Sequence, residues 1–323
     1  MKIGFVVFAQ NNYITFFEQY YKSFKRNFLP SIDKEFIIIV NDSDSENIKT
    51  YISSFTNNDC LVVPFGEWTN KDSFFIKKSY TISKLCDHTY ELVKDYNYIL
   101  ISNVNFNCSK RIEHLEQIYD DSKLLTLTQS NFLHNSRFDY ETNTESVCYI
   151  NPKHGKHYVR GGFVFGKTNN VKTLYSNIFN LLNMDLKNGI LPKWDDESAL
   201  NRLVLGNESL YKILPIDATF QISTNIYNEN FKDVFFTILE KRWFFKDYEF
   251  DGLKKFTYPE PYDEMLLTTY GLFKIYGNYG SFFAGKNDSK FEVLYTDKGT
   301  IVLKKSEYEM KELHYNSNYK IWY

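Results

Sequence analysis

Residues 194–198 read Trp-Asp-Asp-Glu-Ser, three consecutive acids ahead of an apolar periodicity at Leu200, Leu203 and Val204. Acids in a first helical turn accept backbone N–H bonds and favour the positive end of the helix dipole, so capping alone accounts for such a run. The chemical alternative has Asp196 or Glu197 projecting into a crevice, kept ionised by the helix N-terminus. There it would touch a sugar hydroxyl or stabilise an oxocarbenium-like centre. A second cluster, Tyr158-Val159-Arg160-Gly161-Gly162-Phe163, sets paired glycines between strand-like residues. Such a pair marks a bulge or tight turn, or else clears space for a sugar to lie against the backbone. A third, Asn103-Val104-Asn105, closes the buried-strand pattern NYILIS. Asp-x-Asp at such a place would hold the metal that bridges a nucleotide diphosphate. The two amides are poor ligands for Mg²⁺ or Mn²⁺, yet they can hydrogen-bond ribose or phosphate oxygens. An Asn-rich turn is the alternative.

These clusters need a scaffold, and short apolar runs supply strand candidates at 3–9, 35–42, 60–65 and 97–102. Between the first two, Tyr13, Phe16, Phe17, Tyr20, Tyr21 and Phe24 keep helical spacing and share one face. Further helical stretches fall near 45–56 and 74–94. Continuous apolar strands alternating with helices imply a mostly parallel sheet covered on both faces, which binds ligands beyond the carboxyl ends of its strands. Phe8-Ala9-Gln10, Asn41-Asp42 and Asn103-Val104-Asn105 all sit at such ends. After residue 123 the pattern is mixed: strands at 124–128 and 159–166, then a helix carrying Val171, Leu174, Tyr175, Ile178, Leu181 and Leu182. A last helix follows at 193–206, closed by Gly206 as a C-terminal cap. The expected class is α/β, with a domain over 1–244. From about 245 the alternating, Tyr-rich segments GLFKIYGNYGSFF, KFEVLYTD and KGTIVLKK predict antiparallel strands of a β-rich extension over 245–323, of unknown role.

Bulk properties narrow the function. The 323 residues carry 38 Lys plus Arg against 40 Asp plus Glu, a formal net charge of −2, with no basic stripe, which disfavours electrostatic nucleic-acid binding. Cys60, Cys86, Cys108 and Cys148 are scattered, with no C-x-x-C pair and no His at metal-ligand spacing. They read as free thiols in a reducing compartment. The N-terminus lacks a cleavage signature and no segment approaches a membrane span in length, so a cytoplasmic protein is expected.

In order and approximate spacing, IGFVVFAQNNYITFFEQYYKSFKRNFL, EFIIIVND, YILISNVN, YVRGGFVFG and KWDDESALNRL resemble the pattern of family 6 glycosyltransferases. That family includes the histo-blood-group A and B transferases, α1,3-galactosyltransferases and bacterial relatives. The resemblance covers residues 2–222 and leaves 245–323 outside. It implies a GT-A fold and a retaining transfer of galactose or N-acetylgalactosamine from UDP-Gal or UDP-GalNAc, usually onto O3 of a galactoside. Phe8, Gln10 and Tyr13 match positions that hold uracil and ribose, and Lys77 or Lys78 a basic residue that approaches the donor. Asp196 matches a carboxylate on donor-sugar hydroxyls, Glu197 the candidate nucleophile, and Trp194 a wall of the acceptor pocket. Arg160, Gly161 and Gly162 fall where the donor sugar lies. Gly162 matches a position that is Gly in enzymes taking the N-acetyl sugar and Ala in those preferring galactose.

Departures are equally informative. Asp195 replaces an acceptor-side His, and Gln129-Ser130 stands where many members carry His-Pro. The basic C-terminal tail of the family has no clear counterpart, leaving Lys241 and Arg242 as candidates to neutralise the diphosphate. Asn103 and Asn105, on the UDP side, resemble the bacterial branch that works without a metal. No cofactor is expected beyond the UDP-sugar. The expected acceptor is a galactoside or glycolipid, such as a surface glycan of the lipopolysaccharide or capsule type, and a lipid-linked acceptor would bring the protein peripherally to a membrane. The competing expectation is a catalytically inactive relative that binds glycans, with the C-terminal segment as its recognition module.

Overall fold

The computed structural model describes residues 1–9, 11–66, 93, 95–128, 138–214, 219–222 and 235–239, and beyond these the backbone of strands between 264 and 322. The central sheet has seven strands in the order β3-β2-β1-β4-β7-β6-β8. They are β1 (Lys2–Phe8), β2 (Asp33–Val40), β3 (Cys60–Pro64), β4 (Tyr98–Asn103), β6 (Leu124–Thr128), β7 (Val159–Lys167) and β8 (Tyr211–Leu214). The first four run parallel, β7 is antiparallel to both β4 and β6, and β6 is parallel to β8. This is the mixed, Rossmann-like sheet of a GT-A-type α/β fold.

The strands are apolar without interruption because both faces are covered. Along β1, Ile3, Phe5 and Val7 enter one core cluster while Val6 and Phe8 enter the other. The first face lies under α1 (Phe17–Asn27) and α2 (Ser45–Ser53), the second under α3 (Thr168–Lys187) and α4 (Asp195–Val204). Phe16, Phe17, Tyr20 and Phe24 are wholly buried, as the aromatic spacing predicts, and Phe5 stacks on Phe36 at 4.8 Å. Tyr20, too deep to reach water, meets Ser102 Oγ at 2.8 Å, so its hydroxyl is not left unpaired.

The segment before α1 is a 3₁₀ turn over Asn11–Phe16 where helical spacing predicts α-helix. Ile14 and Thr15 are β-branched and weak helix formers. The tighter winding also brings residues three apart into line, with the Tyr13 and Phe16 rings 6.1 Å apart. Of the helix expected over 74–94, all but residue 93 lies outside the described residues. At the other end of the domain, Gly206 has φ +84°, the left-handed conformation of a helix C-cap glycine.

A small sheet joins β5 (Phe106–Cys108), β9 (Thr219–Ile222) and β10 (Phe236–Leu239), in the order β5-β10-β9. In the C-terminal extension, β11 (Glu264–Thr268), β12 (Gly271–Tyr276), β13 (Tyr279–Phe282), β14 (Lys290–Tyr295), β15 (Ile301–Ser306) and β16 (Glu309–Leu313) form an antiparallel meander. β18 (Ile321–Trp322) joins β11 in parallel and carries β17 (Tyr315–Asn316) on its outer edge. The extension is thus a sheet, as its alternation predicts. Among the described residues no helix is long and apolar enough to cross a membrane.

Candidate active site

The carboxyl edge of the sheet gathers Phe8, Asn103, Gly161, Gly162 and Glu197. Phe8 and Asn103 end β1 and β4 in register, and the antiparallel β7 begins at the same edge, Ser102 pairing with Phe163. Asn103 and Gly162 therefore face each other across the ladder. Pairing of β7 with β6 shifts register between Thr126 and Thr128, opposite Val164 and Val159, so the glycine pair sits in an irregular stretch.

The glycines let three elements close on one another. A Cβ at position 161 would stand 2.8 Å from Glu197 Cβ and 3.0 Å from Glu197 Cα. At 162 it would stand 2.3 Å from Asn103 Nδ2. The missing side chains thus bring α4 and the Asn103 amide against the β7 backbone. A bulge and close approach occur together here.

Glu197 does not cap its own helix. Its Oε2 accepts the Gly161 N–H at 2.8 Å and its Oε1 accepts the Tyr158 hydroxyl at 2.8 Å, so the carboxylate is tied to β7 and the residue before it. Burial pushes its pKa above the usual carboxylate range. The Gly161 N–H, the Arg160 guanidinium and the Tyr158 hydroxyl oppose that shift, while neighbouring Asp196 adds to it. Of the acid run, Asp195 and Asp196 are buried, and Ser198 Oγ accepts the Trp194 N–H at 3.0 Å. Asp195 has φ +45°, a left-handed conformation that an L-residue adopts at a cost and that Asp tolerates better than most.

Asn201 explains how the helix is held. Its side-chain amide accepts the Val159 N–H at 2.9 Å and donates to the Val159 carbonyl at 2.9 Å, and it also reaches the Glu197 carbonyl at 2.8 Å. Pairing of β7 with β4 stops at Phe163, and beyond it Asn201 offers Val159 the donor and acceptor of a strand edge.

On the outer side, Trp194 is 46% exposed, and its indole N–H donates to Asp139 Oδ2 at 2.8 Å. Lys193 pairs with the other Asp139 oxygen, and its backbone N–H donates to Glu141 Oε2 at 2.6 Å. The loop bearing these acids is anchored in turn by buried Asp185, which accepts the Ser146 hydroxyl and the Val147 N–H.

The remaining expectations fall as follows. Phe8 is largely buried in the second core cluster, and Tyr13 packs against the first. Asn105 is buried and Asn103 half-buried. Arg160 lies over the Phe106 ring at 5.8 Å. Gln10, Lys77, Lys78, Gln129, Lys241 and Arg242 lie outside the described residues. Tyr158, Asn201 and Asp139 are the contributors that sequence reasoning did not assign. For Asn201 the available signal was its place one helical turn after Glu197, on the same helix face. Asp139 gave none.

Among the described residues no group of three or more His, Cys, Asp and Glu could hold a metal. The amides of Asn103 and Asn105 do not suit Mg²⁺ or Mn²⁺, which prefer carboxylates. A cleft of about 610 Å³ lined by Met1, Tyr96, Tyr98, Lys167 and Thr168 opens at the opposite, amino end of β4, away from this chemistry.

The model of glycosyltransferase family 6 matches residues 1–242. The O-antigen biosynthesis glycosyltransferase WbnI of Escherichia coli is 26% identical over 215 residues, spanning 65% of this chain and 85% of that protein. With the mixed sheet and the Glu197–Gly161 closure in place, the match over three quarters of the sequence settles the kind of protein this is: the chain belongs to glycosyltransferase family 6.

Proposed function

We propose that the protein is a retaining hexosyltransferase that moves α-GalNAc or α-Gal from the UDP-sugar to a galactose-containing acceptor, without a divalent metal. The observation that carries this reading is the carboxylate of Glu197, half-buried at the ligand edge of the sheet and held from two sides by Gly161 N–H and Tyr158 O–H. A positioned carboxylate of this kind either attacks the anomeric carbon or stabilises positive charge as the leaving group departs, and both roles need it ionised. Asp196 takes sugar hydroxyls beside it, with Arg160, Gly161 and Gly162 along the donor sugar. Asn103 and Asn105 hydrogen-bond ribose or phosphate oxygens as neutral donors and acceptors. Without a metal, the diphosphate leaving group needs cations, and Lys78, Lys241 and Arg242 are the residues proposed to supply them.

The acceptor follows from the relative: an O-antigen glycosyltransferase supports a surface glycan or its lipid-linked precursor as the substrate. Trp194, with its broad exposed indole, is the proposed acceptor wall, flanked by Asp195 and Gln129. The reading is tested by incubating purified protein with UDP-GalNAc or UDP-Gal and a panel of galactosides, with and without Mn²⁺, and identifying products by mass spectrometry and NMR. An α-linked disaccharide supports it. Failure either to hydrolyse or to transfer from both donors across the panel would leave the glycan-binding alternative in its place.

A further inference from the structure

We infer that Tyr158 is a positioning residue for the reaction: its hydroxyl holds Glu197 in the ionised form and fixes the free edge of the carboxylate toward the sugar. This rests on the reading of Glu197 as the ionised group at the anomeric centre. Among the described residues each carboxylate oxygen has one protein donor at 2.8 Å, a backbone N–H on Oε2 and the phenol on Oε1. The backbone donor cannot be varied without moving the strand. The phenol is therefore the tunable member of the pair.

The phenol is itself rigid. Tyr158 is 2% exposed, packed 5.4 Å from the Tyr140 ring and 6.2 Å from Phe138, centroid to centroid. Its hydroxyl also lies 3.4 Å from the Asp139 carbonyl, a longer contact than its 2.8 Å bond to Glu197 Oε1. The enclosed position beside carboxylates raises the phenol above its ordinary range, so it stays protonated and acts as a donor. Other charges bear on Glu197 and Tyr158 from every side. Arg160 on β7 favours the Glu197 carboxylate, Asp196 on its own helix opposes it, and Asp139 faces the phenol from the loop. Against that mixed field a short hydrogen bond from a fixed phenol is a local, directional means of keeping the charge on Glu197.

The test is Tyr158→Phe, which keeps the ring and removes only the donor. kcat and donor KM are measured from pH 4 to 9 by UDP release from the donor that wild type turns over. The inference predicts a kcat drop of about tenfold or more, little change in donor KM, and an acidic limb displaced upward by about one pH unit, equivalent to 1.36 kcal/mol. A merely structural role would lower activity at all pH values without moving the limb. A wild-type limb in the variant, at near-wild-type kcat, overturns the inference. Should Tyr158→Phe fail to fold, site-specific difluorotyrosine at 158, a stronger donor of the same shape, must move the limb downward, and an unmoved limb refutes the inference. If wild type turns over neither donor, the functional reading itself has failed, an outcome distinct from a Tyr158 result.

Discussion

Replacing Asn201 by Ala removes three hydrogen bonds at once, at a side chain that is 3% exposed. Both backbone groups of Val159 lose the partner that Asn201 supplies, and each buried group left unpaired costs about 1–3 kcal/mol. The loss in stability is therefore about 2–6 kcal/mol, and Tm falls by roughly 5–20 °C. Catalysis suffers separately, since Glu197 is one turn away on the same helix and takes its alignment from this clamp. A shift of about 1 Å at the reacting centre costs on the order of 100-fold in rate. Thermal melting and UDP release are measured on Asn201→Ala beside Arg202→Ala, an exposed neighbour expected to change stability by no more than about 0.5 kcal/mol. If the two variants melt alike and turn over alike, the clamp does not align the helix and the reasoning is wrong.

Other consequences are equally open to measurement. Glu197→Gln abolishes transfer while UDP affinity, by calorimetry, stays within about threefold of wild type, each 1.4 kcal/mol being tenfold. Because the folded protein raises the pKa of Glu197, the native state holds its proton to higher pH than the unfolded chain; this group's contribution to stability is lost as pH rises through the folded value. Glu197→Gln is therefore expected to raise Tm relative to wild type at pH 8 and to lose that advantage toward pH 4, and activity of wild type falls on the acid side at a pH above the usual Glu range. Gly161→Ala forces a Cβ to 3.0 Å from the Glu197 Cα, a backbone atom that cannot step aside, so kcat falls by about 100-fold; a variant with wild-type kcat would show that the close approach is dispensable. Asp139→Ala frees the Trp194 indole, and the expected signs are a red-shifted tryptophan emission and an acceptor KM raised several-fold, roughly the loss of one charge-assisted hydrogen bond, with donor KM unchanged.

Much of the frame was legible because periodicity alone reports burial. The two-faced burial of β1, β2 and β4 is written in their uninterrupted apolar runs, and the aromatic face of α1 in its spacing. The carboxyl-edge location of Asn103 followed from the alternation of strands and helices. What the sequence could not separate was capping from chemistry in the acid run. That depended on where the Glu197 carboxylate turned, and it turned to β7 because Gly161, 36 residues upstream, left room. Likewise Asn201 looks like any polar residue in a helix, since its partner Val159 is 42 residues away. Asp139 carried no signal either, its value depending wholly on the indole and amine that fold onto it.

The most direct test of the account is the rate of UDP release from UDP-GalNAc and UDP-Gal by protein stripped with EDTA and assayed in EDTA, wild type beside Glu197→Gln. The account predicts that wild type releases UDP from at least one donor at the same rate with EDTA as with added Mn²⁺, and that the variant does not. Activity that vanishes in EDTA and returns with Mn²⁺ would contradict the metal-free donor site built on Asn103 and Asn105, and activity retained by the variant would remove Glu197 from the centre of the mechanism.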